Sequence, residues 1–501
     1  MAAAQRLAEG PALDFDPAQI DIPAAHFIGG RRVVAGEVMA VHRPSDDAVL
    51  AQMGAADAAI VDRAVLDARQ AFRTSGWAHR PPRERARLIN RWADLILDHA
   101  LELARLEAAG STRPVSDAYG WDLPYLADTL RFFAEYADKL GGEVAATRSD
   151  NLGMVVAEPY GVVGAIVPWN FPLTQTGWKV GAALAAGNAI VVKPSEMTPF
   201  SVVRLAELAV EAGMPAGIFN IVQGTGPVAG DALVRHPDIA KVTFTGSSRT
   251  GAAIMTASAE AGIKPVTLEL GGKSPQLVFA DAPDLTKVAE TVARSILVNA
   301  GQVCVAGSRL IVERRIADDL LARLLAAIRT IAPGPTWAST TTFSPIVSRP
   351  QAERIEGIVR RAAASGAEIL AGGCFLDGPG QGAFYAPTLI GRVTPAMEAV
   401  SEEIFGPVLT VQTFEDEEEA FALADHPRYG LAAGVFTADL GRAMRAMRRL
   451  EAGTVWINRY GRSNDMNLPT GGFKRSGIGK DLGRQAVEAN LRHKSVLIDF
   501  S

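Results

Sequence analysis

The stretch of sequence that decides the fold is residues 161–193, GVVGAIVPWNFPLTQTGWKVGAALAAGNAIVVK. It begins and ends with short runs rich in Val and Ile, at 161–167 and 189–192, and residues 178–186 between them have apolar side chains at helical spacing. The alternation continues with a predicted helix at 200–212, a strand at 218–222, a helix at 228–236 and a strand at 240–245. This order predicts a parallel sheet with helices on both faces, which binds nucleotides at the carboxyl ends of its strands.

Helical and mixed segments flank this stretch. Residues 55–140 are predicted to be helical, with the clearest apolar spacing at 59–73 and 83–109. After residue 275 the alternation resumes, with strands at 276–279, 309–312 and 408–414 and helices at 285–298, 317–331 and 351–365. We therefore expect a second α/β domain. The apolar strand at 495–500 has no partner in the adjacent sequence, and its edge could be covered by another subunit or by its own chain.

Length and composition narrow the class of protein. A chain of 501 residues exceeds what one hydrophobic core usually serves, so two or three domains are expected. The net charge of −5 gives no basic surplus for nucleic acid, and no apolar run reaches the roughly 18 residues of a membrane helix. Two cysteines fit a reducing compartment. The first residues lack the long apolar core of a secretory signal, so none is expected, and a short organellar presequence is the remaining alternative. We expect a cytoplasmic protein that binds neither nucleic acid nor membrane.

Cys304 is the candidate nucleophile. It lies in a stretch of small residues, GQVCVAGSR at 301–309, where a substrate can approach a thiol closely. Glu269, in LELGGKSP at 268–275, supplies a carboxylate that can act as a base. The alternative is that Cys304 is a small buried hydrophobic residue, the usual role of a free cysteine. Cys374 is interpreted as structural, and neither cysteine belongs to a C-x-x-C pair, which argues against a metal site.

Three further motifs follow predicted strands. Phe244, Thr245, Gly246 and Ser247 open a helix whose amino terminus would attract phosphate, although a glycine-capped turn explains them as well. Lys193, Ser195 and Glu196 could bind ribose hydroxyls, or form a solvated loop; the carboxylate favours NAD over NADP because it would repel a 2′-phosphate. Asn170 could donate to an oxyanion, or serve as a turn residue.

Together these motifs resemble the NAD(P)-dependent aldehyde dehydrogenase superfamily over nearly the whole chain, and look most like its bacterial branch for γ-glutamyl-γ-aminobutyraldehyde and other amino aldehydes. The matching segments are PWNFP at 168–172, KPSE at 193–196, FTGS at 244–247, LELGGK at 268–273, GQVC at 301–304, EEIFGP at 402–407 and GGFKRSG at 471–477. Seven segments in family order make a chance match very improbable.

The resemblance implies roles for individual residues. Cys304 would be the nucleophile, Glu269 the general base and Asn170 part of the oxyanion hole. Lys179 would belong to a proton path, although Asp481 stands where the family often has Glu, which puts that path in doubt. The implied cofactor site consists of Val167, Pro168, Trp169, Lys193, Ser195, Glu196, Gly226, Phe244, Thr245, Gly246, Ser247, Leu270, Gly271, Glu403 and Phe405.

The resemblance also implies an architecture. The fold would be α/β, with a Rossmann-type cofactor domain at 1–140 and 160–271, a catalytic domain at 272–470 and a β arm at 141–159 and 484–501. The arm would join subunits of a homo-oligomer, a dimer or, by our preference, a tetramer.

The implied substrate is a small aldehyde, oxidised to a carboxylic acid through a thiohemiacetal and a thioester on Cys304. Its channel would be formed by Phe171, Gln175, Trp178, Val303, Val305, Asn464 and Asp465. The polar pair Asn464 and Asp465 suggests a polar or amino aldehyde. The alternatives are a broad-range aldehyde dehydrogenase, a CoA-acylating semialdehyde dehydrogenase, which would not need Glu269, and a non-enzymatic protein on the same fold.

Overall fold

The alternating segment forms the centre of an eight-stranded sheet in the computed structural model, which describes residues 11–377 and 382–501. Its strands, in spatial order, are Arg31–Val33, His26–Ile28, Phe219–Ile221, Ala189–Lys193, Val162–Ile166, Lys241–Thr245, Val266–Glu269 and Gly477–Ile478. The five strands from Phe219–Ile221 to Val266–Glu269 are parallel to one another. Each of the three outer strands pairs with its inner neighbour in the antiparallel direction.

The central strands are buried because helices cover both faces of the sheet. Every residue of Val162–Ile166 and of Ala189–Lys193 is buried, as their continuous apolar runs require. The helix Pro172–Ala185 connects these two strands and is itself buried along its whole length. The predicted α/β fold is confirmed, and the carboxyl ends of the parallel strands lie at one edge, where the motif residues follow them.

A seven-stranded sheet carries the second α/β unit. Its spatial order is Glu368–Ala371, Thr388–Gly391, Val408–Phe414, Arg309–Glu313, Pro275–Val278, Ala432–Phe436 and Thr454–Ile457. Six of these strands are parallel, and Glu368–Ala371 is antiparallel. Cys304 lies in the loop that precedes Arg309–Glu313. The assignment of residues 272–470 to a catalytic domain stays a prediction.

A three-stranded antiparallel sheet is formed by Leu491–Asp499, Asn151–Pro159 and Glu143–Ala145. The carboxyl-terminal strand therefore pairs within its own chain, and Asn151–Pro159 occupies the middle position. The outer edge of Leu491–Asp499 has no neighbouring strand among the described residues. Leu497 and Phe500 are exposed there, and Val144 is exposed on the opposite strand.

The remaining elements surround the sheets. The other strands pair in twos: Glu37–His42 with Val49–Ala55, Phe375–Leu376 with Phe384–Tyr385, and Tyr429–Gly430 with Phe473–Lys474. The helices are Ala58–Thr74, Pro82–Asp98, Ala100–Gly110, Val115–Asp117, Leu123–Tyr136, Pro172–Ala185, Phe200–Glu211, Asp231–Arg235, Ser248–Glu260, Leu285–Leu297, Ala317–Ile328, Arg349–Ala364, Glu398–Ser401, Glu417–Ala424, Leu440–Arg449 and Gly483–Glu488.

Two of the predicted helices differ most from the structure in their bounds. The helix predicted at 178–186 begins six residues earlier, at Pro172, because proline without an N–H is well suited to a first helical turn. The helix predicted at 83–109 is divided at His99, whose φ of −99° and ψ of 18° interrupt the helical geometry.

Candidate active site

Cys304 lies where two cavities meet. One is a cleft of about 710 Å³ along the carboxyl edge of the eight-stranded sheet, and the other is a pocket of about 360 Å³ whose lining includes five aromatic side chains and three valines. Cys304 lines both, as does Gln175. A thiol at this junction can react with a molecule in the pocket while a second molecule occupies the cleft.

The backbone before Cys304 has an unusual conformation. Asn299, Ala300 and Gly301 have φ values of 50°, 50° and 71°, in the left-handed region that side chains other than glycine rarely adopt. A Cβ at Gly301 would collide with the carbonyl oxygen of Gly406. This position therefore requires glycine, and the tight turn directs the following loop towards the two cavities.

Gln302 holds the loop through its buried side chain. Its Nε2 donates to the carbonyl oxygens of Asn299 and Pro345 at 2.9 and 3.0 Å, and its Oε1 accepts from the Val347 N–H at 2.9 Å. Such hydrogen bonds are expensive to leave unmade in the interior. Gln302 therefore fixes the position of the neighbouring thiol without lining either cavity.

Asn170 is fixed beside the same loop. Its Nδ2 donates to the Gln302 carbonyl at 2.9 Å, and its own carbonyl accepts from Asn299 Nδ2 at 2.9 Å. The Asn299 Oδ1 accepts in turn from the Thr112 hydroxyl at 2.6 Å. An amide nitrogen has two hydrogens, so the second hydrogen of Asn170 is available to a group in the cleft that this side chain lines.

The Cys304 thiol is poorly acidic in this environment. Burial raises its pKa to about 11, the charges of Glu269 and Glu403 raise it further, and the Arg462 guanidinium lowers it. At neutral pH the thiol is therefore protonated, and a base is needed to form the nucleophilic thiolate.

Glu269 is a buried carboxyl group at the end of the strand Val266–Glu269. Burial is the main cause that raises its pKa to about 8, and the negative charge of Asp481 adds to this, whereas Lys179 and Arg462 lower it. Its Oε1 accepts from the Asp481 N–H at 3.3 Å. Glu269 lines neither cavity, but a carboxyl group with a pKa near neutrality is suited to general-base catalysis.

Asp481 reaches Lys179 despite its short side chain. The Lys179 Nζ donates to Asp481 Oδ2 at 2.8 Å and to the Thr243 hydroxyl at 3.1 Å, and both ionic groups are buried. Asp481 therefore contacts both residues, Glu269 through its backbone N–H and Lys179 through its carboxylate. The shorter side chain of aspartate, compared with the glutamate frequent in the family, therefore does not prevent the contact with Lys179. The role of Lys179 in proton transfer stays a prediction.

All fifteen residues that the sequence assigned to a cofactor line the 710 Å³ cleft. Ser247 caps the helix Ser248–Glu260, accepting from the Thr250 N–H, so the positive end of that helix faces the cleft. Lys193 Nζ donates to Glu196 Oε2 at 2.8 Å. The buried Thr245 hydroxyl has no hydrogen-bond partner among the described residues. These features fit a ligand with phosphates and ribose hydroxyls.

The other end of the cleft is built around Glu403 and Phe405. The Glu403 Oε1 accepts from the Gly272 N–H at 3.0 Å, and a Cβ at Gly271 would fill the space that this carboxylate occupies. Phe405 has a φ of 56° and packs edge-on against Trp169, with ring centroids 5.2 Å apart. Arg354 and Gln351 donate to the backbone carbonyls of this segment and also line the cleft. Neither was predicted, since their partners are backbone atoms.

The 360 Å³ pocket contains five of the seven residues predicted for the substrate: Phe171, Gln175, Trp178, Val303 and Val305. Asn464 and Asp465 are not among its lining residues, which corrects that assignment. Both are exposed, and the Asp465 carboxylate accepts a hydrogen bond from the Ser463 hydroxyl. The chain enters the pocket earlier, at Gly461 and Arg462.

Several residues of this pocket were missed by sequence reasoning. They are Arg113, Asp117, Trp121, Tyr125, Thr174, Arg294, Ser295, Val298, Tyr460, Gly461 and Arg462. Trp121 and Tyr125 stack with centroids 4.8 Å apart, and Arg462 lies 4.6 Å from the centre of the Trp178 ring. Aromatic side chains at helical spacing would have indicated Trp121 and Tyr125 only as core residues. No local pattern marked Arg462.

The sequence matches a known protein family over most of its length. Residues 33–496 match the model of the aldehyde dehydrogenase family. The chain belongs to this family. It is 43% identical over 476 residues to the NADP/NAD-dependent aldehyde dehydrogenase PuuC of Escherichia coli, covering 95% of each chain. It is 41% identical over 487 residues to an aminoacetaldehyde dehydrogenase of Pseudomonas aeruginosa, covering 97% of each. The predicted resemblance to the aminoaldehyde branch is thus confirmed.

The solved structures agree on the fold. A variant of the P. syringae indole-3-acetaldehyde dehydrogenase AldA, in complex with NAD+ and IAA, superposes with a TM-score of 0.94 at 43% identity, covering 96% of this chain and 98% of the other. In residues 11–377 and 382–501, no helix has the length and hydropathy to span a membrane. Over the same ranges, no three His, Cys, Asp or Glu side chains are grouped as metal ligands.

Proposed function

We propose that this aldehyde dehydrogenase oxidises an aldehyde to a carboxylic acid, with NAD as hydride acceptor and Cys304 as the covalent nucleophile. The observation that carries the proposal is the position of Cys304, the only cysteine that lines both the pocket and the motif-bearing cleft among the described residues. An aldehyde in the pocket would meet the thiol at the end of the cleft where Glu403 and Phe405 lie.

The cleft residues would hold the dinucleotide along its length. Glu196 and Lys193 would bind the adenosine ribose, and the amino terminus of Ser248–Glu260 would face the pyrophosphate. Glu403 would bind the nicotinamide ribose. The bound nicotinamide supplies one chemical function, which is to accept a hydride. The Glu196 carboxylate disfavours a 2′-phosphate, so NAD is the expected cofactor. The exposed Arg249 on the cleft wall would weaken this preference for NAD over NADP. The similar enzyme PuuC is named NADP/NAD-dependent.

The chemistry of the chain begins when solvent water takes the proton of the Cys304 thiol. The Sγ then forms a bond to the aldehyde carbon, and the carbonyl oxygen gains negative charge. The free hydrogen of Asn170 Nδ2 and the Cys304 N–H would donate to this oxygen, which stabilises the tetrahedral adduct. Loss of hydride from the adduct leaves a thioester on Cys304. Water then attacks the thioester carbon, and the C–S bond breaks to release the carboxylic acid and the thiol.

Glu269 would accept the proton from that water. Its raised pKa makes it a strong enough base for this step near neutral pH. The protonated Glu269 would then return its proton to solvent water. Hydrolysis needs such a base, whereas transfer of the acyl group to CoA does not. The presence of Glu269 therefore favours hydrolysis over the CoA-acylating alternative.

We further propose a polar aldehyde as substrate; the similar enzyme of P. aeruginosa is named an aminoacetaldehyde dehydrogenase, and the charge of the substrate of the present enzyme is considered separately below. The alternative is a broad aldehyde range, which the aromatic wall of the pocket would allow. We also propose that the sheet of Leu491–Asp499 joins subunits of a cytoplasmic homo-oligomer, because exposed Leu497 and Phe500 lie at its free edge.

The test follows NADH formation with a panel of aldehydes, with NAD and NADP compared and no CoA added. Cys304→Ser should lose at least about a thousandfold in kcat, because a hydroxyl is a much weaker nucleophile. Cys374→Ser is the matched control, since this exposed cysteine lines neither cavity, and it should keep full activity. Turnover that requires CoA, or undiminished turnover by Cys304→Ser, would refute the proposal.

A further inference from the structure

The charged side chains that line the 360 Å³ pocket indicate whether its substrate is an anion or a cation. Three guanidinium groups, Arg113, Arg294 and Arg462, line the pocket, against one carboxylate, Asp117. That carboxylate lies 3.4 Å from Arg113, which also makes a two-bond ion pair with buried Asp122 at 2.7 and 3.1 Å. Asp122 is therefore fully paired with this arginine, and half-exposed Asp117 is partly neutralised by it, which leaves the pocket with a surplus of positive charge.

Arg462 is left without a carboxylate partner. In the part of the chain that the structure describes, no Asp or Glu oxygen lies within 4.0 Å of its guanidinium, which donates only to the Thr470 hydroxyl. Its planar group lies over Trp178, with 4.6 Å between Cζ and the ring centre. Stacking of this kind fixes the guanidinium while leaving its in-plane N–H groups available to an anion.

Arg462 is also close enough to the reaction centre to act on it. Its positive charge lowers the pKa of the Cys304 thiol and that of Glu269. The Nη1 of Arg113 also has no hydrogen-bond partner among the described residues, but this nitrogen is buried beneath the pocket surface, so the half-buried Arg462 is the guanidinium better placed to meet a substrate. The pocket thus combines a reactive thiol, an apolar wall and guanidinium N–H groups without acceptors.

We propose that the pocket selects aldehydes that carry a carboxylate, which Arg462 binds while the aldehyde carbon lies at Cys304. This rests on the proposed function, and it assigns the charge of the polar substrate as negative. A charge-assisted hydrogen bond in a partly buried pocket would favour a carboxylate-bearing aldehyde over a neutral aldehyde of equal length by roughly ten- to hundredfold in kcat/KM. A cationic aldehyde would be disfavoured by the same group.

The test uses three aldehydes with the same four-carbon chain: 4-oxobutanoate, butanal and 4-(trimethylammonio)butanal, whose quaternary nitrogen cannot cyclise onto the aldehyde. The expected order of kcat/KM is anion, neutral, cation. Arg462→Gln should lower kcat/KM for 4-oxobutanoate at least tenfold more than it lowers kcat/KM for butanal, mainly through KM, because any loss common to both aldehydes reports the effect of Arg462 on the thiol and on Glu269. Arg462→Glu should favour the cationic aldehyde over 4-oxobutanoate.

Arg459→Gln is the matched control, because it removes an exposed guanidinium three residues away that does not line the pocket. It should leave all three values unchanged. A purely electrostatic effect of Arg462 on the thiol would change the three substrates equally, and equal losses in Arg462→Gln would overturn the proposal, as would a wild-type enzyme that prefers butanal or the cation. If the wild-type enzyme oxidised none of the three aldehydes, that result would instead contradict the proposed function.

Discussion

The raised pKa of Glu269 makes the hydrolysis step strongly dependent on pH. If Glu269 with a pKa of about 8 must be ionised to activate water, only about one molecule in a hundred is competent at pH 6. Deacylation should therefore accelerate roughly a hundredfold between pH 6 and pH 9 and level off above the pKa. A carboxylate with an ordinary pKa would give a flat profile over this range.

The assay isolates deacylation by using an activated ester, such as 4-nitrophenyl acetate, which acylates the thiol without NAD. Rapid mixing gives a burst of nitrophenolate followed by a slower steady rate that reports hydrolysis of the acyl-enzyme. Glu269→Gln should keep the burst and lose the pH-dependent steady rate. This separates Glu269 acting on water from Glu269 acting on the thiol.

The neighbouring charges predict shifts in opposite directions. Asp481→Asn removes a negative charge that raises the pKa of Glu269, so the midpoint of the profile should move to lower pH. Lys179→Met removes a cation that lowers this pKa, so the midpoint should move to higher pH. A midpoint below pH 6 in the wild type, or shifts of the same sign in both variants, would refute the reasoning.

Other predictions follow from the same geometry. Asn170→Ala should lower kcat about a hundredfold or more, because one oxyanion donor is worth about 2.7–4 kcal/mol; a loss below fivefold in steady-state NADH formation would remove Asn170 from this role. Glu269→Gln should stabilise the fold at high pH. The wild type loses stability as the pH rises from 4.5 through about 8, because the folded state resists ionisation of Glu269. Its free energy of unfolding in urea should therefore be lower at pH 9 than at pH 5, by at most about 5 kcal/mol, and the variant should lack this loss. Gly301→Ala should destabilise by roughly 1–3 kcal/mol and abolish turnover, because its Cβ would meet Gly406; Gly76→Ala, which has the same φ of 71° but open space around it, should keep turnover, and equal kinetic losses would contradict the clash.

Much of the fold could be predicted because buried parallel strands have a simple signature. The strand predicted at 408–414 has those bounds in the structure, and the strands around 161–167 and 189–192 differ by a residue or two. Their continuous Val- and Ile-rich runs are bounded by glycine and polar residues. The antiparallel pair Glu37–His42 and Val49–Ala55 was not predicted, because its exposed residues interrupt the apolar pattern.

The cofactor cleft was more predictable than the substrate pocket for a physical reason. Its motifs are contiguous segments at strand ends, so that Thr245 and Glu269, paired in register, are brought to one edge by the sheet itself. The pocket is formed by side chains from separate helices and loops, and their directions depend on tertiary packing. The polar pair Asn464 and Asp465 was therefore assigned to the pocket wrongly. Arg462, which precedes this pair in the same loop, lines the pocket.

The most direct test of the account is to detect the acyl group on Cys304. The enzyme should be mixed with NAD and its best aldehyde at low pH, where protonated Glu269 slows hydrolysis, then quenched in acid and analysed by intact-mass and peptide mass spectrometry. The account predicts a mass increase equal to the acyl group on the peptide that contains Cys304, and none in Cys304→Ser. NADH formation without such an adduct, or an adduct on Cys374 instead, would contradict it.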